Sequence, residues 1–420
     1  MNQDAFGAAR RSHDPMRRAA IVAPLRTAVG GYGKALRTVA VEDLAATVVK
    51  AVVQRSGIDP DRIEDVVFAQ SYANSEVPCF GRWIALHAGL PEHVAGLQID
   101  RRCGGGLQAI ATAAMIVQSG AADVVVAGGA ESMSRIEHYT TDLRWGRRSG
   151  GTMLHDRLDR GRERAQPEWR HGHISGMVET AENIADKYGI TREQADIFAA
   201  ASHAKAAAAW SSGRFAEEVV PVEVPGQRGA VPSIFHLDEG IRADASPDTL
   251  ARLKPVVAGG TVTAGNASQQ NDAAAACLVV AEDKLEVLGV RPAGFLVGWT
   301  AVGCDPATMG LGPVPAVTKL FDRTGLGFDD LALIEVNEAF ASQVLGVLHG
   351  WGWNDPDRLN VNGSGISLGH PIGATGVRMM VTLLHELGRR GGGLGLETMC
   401  IGGGQGMAAI FEVPASNATP

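Results

Sequence analysis

The chain runs to 420 residues, a length for roughly two or three domain-sized units rather than one simple core. Apolar residues make up 45% and charged residues 20%, and no long uncharged apolar run occurs, so a membrane span is not expected. A formal charge of −8 gives no footing for nucleic-acid binding.

Residues 1–18 read as a short flexible tail; Asp4 and Asp14 among its arginines argue against a transit peptide. From there to about residue 133, β-prone runs alternate with helix-period segments. The runs are Ala19–Ala23, Asp65–Ala69, Gly96–Asp100 and Asp123–Ala127, and the helices Val41–Arg55 and Leu107–Gln118. Such alternation predicts a mostly parallel sheet covered by helices. Residues 134–271 break the pattern and read as an inserted domain. It opens with a polar excursion rich in arginine and histidine, Arg135–His173. Two helices follow, Thr180–Tyr188 and Arg192–Ser211, the second with Thr191 and Gln194 in capping-box spacing.

The first α/β unit is thus 19–133 plus 272–291, and the second is 292–420. In the second, β-runs are expected at Gly294–Ala301 and Leu331–Val336, with helices near Pro315–Arg323 and from Glu338. The two units carry a faint likeness. Asp100–Gln118 and Asn362–Leu384 each lead from a glycine-rich turn into an apolar helix. Each is followed by a β-run ending in glycines, Val124–Gly129 and Leu396–Gly404. Gene duplication and mere similarity of βαβ units both account for it.

The cysteines are Cys79, Cys103, Cys277, Cys304 and Cys400, with no ligand-like spacing. Neither a metal site nor a disulfide framework is expected, and a reduced cytoplasmic setting fits best. Glycine is abundant at 53 residues and gathers in short loops, as suits a backbone that closely approaches a ligand.

Four blocks carry chemistry. In Asp100-Arg-Arg-Cys103-Gly-Gly-Gly, the cysteine sits where a β-run meets a helix start, a place that lowers a thiol pKa. A small buried cysteine is the plainer alternative, though the glycine run argues against it. In Asn362-Gly-Ser-Gly-Ile-Ser-Leu-Gly-His370-Pro, a glycine and a proline hold an imidazole rigidly, as general-base work needs; a structural histidine fits equally well. Met399-Cys400-Ile-Gly402 places a second thiol at a β-run end, where it can face the first. Val336-Asn337-Glu338-Ala339-Phe340 puts an asparagine at another strand end, where it could equally cap a helix.

In this order the blocks resemble the signature of the thiolase family, with supporting matches along residues 19–413. Among them are Arg26-Thr-Ala-Val-Gly30, Gly128-Gly-Ala-Glu-Ser-Met133, Thr180-Ala-Glu-Asn183, Gly260–Ser268 and Met309–Pro315. The resemblance implies a five-layered αβαβα fold from two similar α/β halves with an inserted loop domain that binds CoA. It also implies CoA-dependent cleavage of 3-oxoacyl-CoA, or the reverse condensation of acetyl-CoA, with CoA as substrate and no cofactor. Cys103 would be the nucleophile, His370 its base and Cys400 the second acid/base. His370 with a water held by Asn337, and the Cys103 and Gly402 amides, would form two oxyanion holes. Ser268 and Arg242 fall at CoA-contacting positions, Met177, Met309 and Phe340 at tunnel positions, and Ala339 beside them. Family members are usually dimers or tetramers, so a homo-oligomer is expected, with the Arg135–His173 excursion as a plausible tetramer contact. A role in β-oxidation is one expected setting.

Several residues depart from the family pattern: Asp100 for Asn, Gly105 for Ser, Gly176 and Val178 for His and Gly, and Gln269-Gln270 after Ser268. They leave the proposed catalytic groups intact and point to a wider or more polar acyl pocket. A non-catalytic CoA- or lipid-binding relative would be expected to have lost one of Cys103, Asn337, His370 and Cys400.

Overall fold

The computed structural model describes residues 17–226 and 231–415. Of the expected tail, residues 1–16 lie outside the described residues. Arg17 and Arg18 are anchored rather than free: Arg17 pairs with Asp283 at 2.9 Å and with Asp123, and Arg18 pairs with Glu412.

The first half consists of strands Ala19–Thr27 (β1), Asp65–Ala69 (β2), Leu97–Ile99 (β3) and Val124–Ser132 (β4), with helices Val41–Ser56 (α1), Phe80–His87 (α2) and Gly105–Gln118 (α3). The inserted segment contributes Met177–Tyr188 (α4) and Arg192–Ser211 (α5), after which Asn271–Ala281 (β5) completes the first sheet. The second half holds Gly294–Gly303 (β6), Pro313–Thr324 (α6), Leu331–Val336 (β7), Ala341–Trp351 (α7), Thr375–Arg389 (α8), Gly393–Ile401 (β8) and Gln405–Val413 (β9).

Both halves follow one pairing scheme. The strand order is β3-β2-β4-β5-β1 in the first and β7-β8-β9-β6 in the second. β2–β4 and β7–β8 are parallel, whereas β4–β5, β5–β1, β8–β9 and β9–β6 are antiparallel. The faint internal likeness is therefore structural: α3 and α8 occupy matching places, as do β4 and β8. The halves join where β1 meets β6, at Ala20↔Phe295 and Ile21↔Gly294.

Side-chain alternation sets the layers, since successive residues of a strand face opposite sides. In β5, Ala275, Cys277 and Val279 face a central core, while Ala274, Ala276 and Leu278 face an outer core against α1 and α2. In β9, Met407, Ala409 and Phe411 face that same central core, while Ala408 and Ile410 face α6 and α7. Leu107 and Ile110 of α3 and Val377 and Met380 of α8 fill the space between the sheets. The result is the five-layered αβαβα arrangement.

The two central helices meet at their starts because two glycines permit it. A Cβ on Gly376 would lie 2.3 Å from the Leu107 backbone nitrogen, and one on Gly106 would lie 2.8 Å from that of Val377. This approach brings the two glycine-rich loops, one from each half, to a single cleft.

The chain leaves β4 near Met133 and returns antiparallel beside it, at Asp272↔Ser132. In the excursion, a short helix at Arg157–Glu163 and a single turn at Glu168–His171 are ordered, and Trp145 and Trp169 stand exposed. The capping box at Thr191 forms as the spacing predicts. Helix α7 begins at Ala341 rather than Glu338. Phe340 is held extended as its N-cap by a bridge to Ala267, while the Ala341 N–H donates to the Asn266 carbonyl at 2.9 Å.

Candidate active site

Beyond β3, the chain turns sharply before α3. Arg102 adopts a left-handed φ of 47°, a conformation uncommon for a residue with a side chain. Three contacts hold it there. Its N–H donates to Asp100 Oδ1 at 2.6 Å, its carbonyl accepts from the Ser71 hydroxyl at 3.0 Å, and its Nη1 donates to the Gly161 carbonyl at 3.1 Å. Cys103 follows within a one-turn 3₁₀ segment, half-buried, just before α3 begins at Gly105. A Cβ on Gly104 would meet Ile401 Cδ1 at 2.5 Å, so any larger residue would displace the Ile401 side chain at the end of β8.

The expectation of a depressed thiol pKa is corrected here. Burial pushes the Cys103 thiol up, and this outweighs the opposing pull of the Gly402 and Cys103 N–H groups and the Arg102 charge. The cysteine rests as a neutral thiol that needs a base.

His370, from the other half, lines the same cavity as Cys103. Gly369 turns with φ 102° where a Cβ would meet the Asn271 side chain at 2.7 Å. The His370 N–H donates to Asn271 Oδ1 at 2.8 Å, and Asn271 Nδ2 donates in turn to the Gly30 carbonyl at 3.0 Å. The ring Nδ1 lies 2.7 Å from Thr375 Oγ1, and the Thr375 hydroxyl donates to the Pro371 carbonyl at 2.9 Å. A hydroxyl has one proton to give, so Thr375 accepts from Nδ1–H and Nε2 keeps its lone pair. Burial, followed by the nearby Arg378 and Arg162 charges, lowers the His370 pKa to about 3. The imidazole is therefore neutral and able to take a proton at physiological pH.

Asn337 is fully buried, with Nδ2 at 3.5 Å from the His370 ring, and is not the helix cap that its position also allowed. Cys400, near the end of β8, is 1% exposed. Burial holds its thiol well above the ordinary range, and the neighbouring Cys103 and Cys304 add to the effect. It is protonated at rest and so placed to act as an acid.

Cys103, His370, Cys400 and Gly402 line one cavity of about 890 Å³, together with Ser268, Met177, Met309, Ala339 and Phe340. Asn337 stands behind His370. Arg242 lies outside this lining with an exposed side chain, its backbone N–H donating to His203 Nδ1 at 3.2 Å. Ser268 is positioned by its N–H, which donates to the Ala339 carbonyl at 2.9 Å.

Sequence reasoning passed over three features. Thr375 fixes the imidazole, and a hydroxyl five residues after the histidine was its only signal. Glu131 ties the loops together by accepting from the Ser71, Gly373 and Tyr72 N–H groups at 3.0, 3.0 and 3.3 Å, and burial raises it to about 7. The short helix Arg157–Glu163 forms a cavity wall, although it lies in the stretch expected as a polar excursion and tetramer contact.

Comparison with known proteins gives the family. The family model for the thiolase N-terminal domain matches residues 19–283, and that for the thiolase C-terminal domain matches residues 290–413. The chain belongs to the thiolase family. It is 44% identical over 397 residues to an acetyl-CoA acetyltransferase of Chromobacterium violaceum, covering 94% of this chain and 99% of that one. It is 43% identical over 399 residues to a beta-ketothiolase of Cupriavidus necator, with the same coverage. The acetyl-CoA acetyltransferase of Bacillus anthracis superposes with a TM-score of 0.90 at 40% identity, over 95% of this chain and 99% of that one. The human mitochondrial 3-ketoacyl-CoA thiolase in complex with CoA gives 0.88 at 36% identity, over 95% and 98%.

Most departures from the thiolase pattern gather at the cavity. Asp100, Gly176, Val178, Gln269 and Gln270 all line it. Gly105 lies behind Cys103, where a Cβ would come 3.2 Å from the Ala69 Cβ. The Thr180–Asn183 block has a supporting role: the Glu182 carboxylate accepts from the Thr261 and Val262 N–H groups, at 2.8 Å for the latter, and so holds the loop that ends in Ser268.

Proposed function

We propose that this thiolase cleaves a 3-oxoacyl-CoA with CoA, giving acetyl-CoA and a shortened acyl-CoA, and runs the reverse condensation through the same groups. The observation that carries this reading is one cavity holding a thiol, a neutral imidazole of fixed tautomer and a second protonated thiol, each contributed by a different segment of the chain.

His370 Nε2 takes the Cys103 proton as the sulfur attacks the C3 carbonyl. The developing oxyanion is met by preorganised donors, which are worth most in a site closed to water. The C2–C3 bond then breaks, leaving the acyl group on Cys103, and the Cys400 thiol protonates the acetyl-CoA enolate at C2. CoA next gives its thiol proton to the Cys400 thiolate and attacks the acyl-Cys103 carbonyl. The departing Cys103 sulfur recovers its proton from His370. The Cys103 and Gly402 N–H groups pull the thiol pKa down against its burial, and the same amides serve a thioester oxygen formed there. The apolar cluster of Val262, Met309, Ala339, Phe340 and Cys400 with Met177 suits the pantetheine arm.

The test follows enolate absorbance of 3-oxoacyl-CoA substrates during CoA-dependent cleavage, with transfer of a labelled acyl group to protein measured in parallel. The chain should cleave at least one chain class, and Cys103→Ala should accept no label. Labelling of that variant at the wild-type level would remove Cys103 as nucleophile.

A further inference from the structure

The cavity has two chemically distinct sides. One is the apolar cluster around Met309 and Phe340. The other is polar, formed by Tyr72, Arg102 and the short helix Arg157–Glu163. A linear alkyl chain gains nothing from a wall of guanidinium groups, and burying unpaired charge against it carries a penalty.

Most charges on this wall already have partners. Arg157 donates to Glu137 at 3.0 Å and to the Ala73 carbonyl. Arg160 sits on His155 at 2.7 Å, and Arg102 on the Gly161 carbonyl. Of the acids, Glu137 also accepts from Ser75 at 2.7 Å and Asp100 accepts from the Arg102 N–H, while Asp159 and Glu163 are exposed. Arg162 and Arg164 differ. Arg164 is exposed. The Arg162 side chain is 27% exposed and lines the cavity, and its contact is a 3.4 Å approach to Asp159, itself 68% exposed. That is at the long end for a charge-assisted hydrogen bond. Arg162 also lies close enough to Tyr72 and His370 for its charge to act on both. It is a half-buried cation beside the reacting groups, with its fork of donors largely uncommitted.

Resting on the thiolase reading above, we propose that the polar wall selects an acyl chain ending in a carboxylate, bound by the Arg162 guanidinium, so that the preferred substrate is the CoA thioester of a 3-oxo dicarboxylic acid. The planar fork matches a carboxylate bidentately, and Tyr72, whose hydroxyl donates to the Leu158 carbonyl at 3.2 Å, shapes the wall beside it.

The experiment compares paired substrates of equal length, 3-oxohexanoyl-CoA against the CoA thioester of 3-oxohexanedioic acid and the corresponding eight-carbon pair, in the wild type, Arg162→Gln and Arg162→Lys. In the wild type, kcat/KM should favour the carboxylate-ended member of at least one pair by about tenfold or more. Arg162→Gln should bring that ratio close to one, and Arg162→Lys should retain part of it. Because each ratio is taken within one protein, partial misfolding cancels. A wild type that prefers the methyl-ended chains overturns the proposal, as does an Arg162→Gln variant that keeps the wild-type ratio. A loss that is equal for both members would assign Arg162 to a CoA phosphate instead and likewise overturns it. Cleavage of none of the four would remove the thiolase reading beneath it, an outcome distinct from cleavage without preference.

Discussion

At the scale of single residues, chemistry depends on which group holds a proton at rest. Cys103 keeps its own because burial exceeds the pull of the surrounding amides, and His370 is neutral because burial and the neighbouring arginines disfavour imidazolium. The resting pair is thiol and imidazole, not thiolate and imidazolium. Alkylation of Cys103 by iodoacetamide should therefore climb steadily with pH from 6 to 9, and a flat, fast rate below pH 7 would contradict it. Thr375→Val should lower that rate at neutral pH, and kcat with it, by about tenfold, because an unsatisfied buried donor costs roughly 1–3 kcal/mol. The four blocks stood out in the sequence as an ordered set that resembles the thiolase signature; alone, His370 read equally well as a structural histidine and Asn337 as a helix cap. Thr375 and Glu131 did not stand out, since their roles exist only once β4, α3 and α8 converge.

At the scale of elements, the cleft is made by the crossing of α3 and α8, and that crossing depends on glycine. Most elements could be read from periodicity, with β2, β7 and α5 falling at the predicted bounds. The start of α7 could not, because a bridge from the inserted segment holds Phe340 extended. Nor could the contact between Gly106 and Gly376, which involves residues far apart in sequence. Gly376→Ala places a methyl 2.3 Å from the Leu107 nitrogen, where backbone has to move. Overpacking of this kind costs about 1–3 kcal/mol or more. The variant should unfold at lower denaturant, and it should lose acyl-enzyme formation even where it remains folded, because Cys103 and His370 then separate. A variant with lower stability and wild-type acylation would show that the crossing supports the fold without setting the site.

At the scale of the whole molecule, the layered architecture encloses charge as well as apolar surface. In the first half, Arg26 is fully buried but fully paired, with Glu218 at 2.7 Å and Asp238 at 2.8 and 3.0 Å. In the second, Glu335 of β7 and Glu397 of β8 sit side by side in register, with buried Arg378 of α8 close enough for its charge to act on both. The Arg378 guanidinium has no hydrogen-bond partner among the described residues. Burial raises Glu335 to about 8 despite Arg378, with Glu338 and Glu218 adding to the rise and Lys205 opposing it, and Glu397 is raised as well. A carboxyl group with a raised folded pKa contributes stability that is fully present below its unfolded value near 4.5, and that is lost as pH rises toward 8. His370 and His203, lowered to about 3 and about 4, act in the opposite sense: their contribution is present above about 6.5 and fades as pH falls toward those values. Stability should therefore peak in mildly acidic solution and decline on the alkaline side. Glu335→Gln keeps the shape of the side chain and removes its titration. Its thermal midpoint should fall less than that of the wild type between pH 6 and 9, on the order of 2 °C for each kcal/mol of linkage removed. Parallel curves for the two proteins would mean that Glu335 holds the same charge folded and unfolded, and that the alkaline limb arises elsewhere.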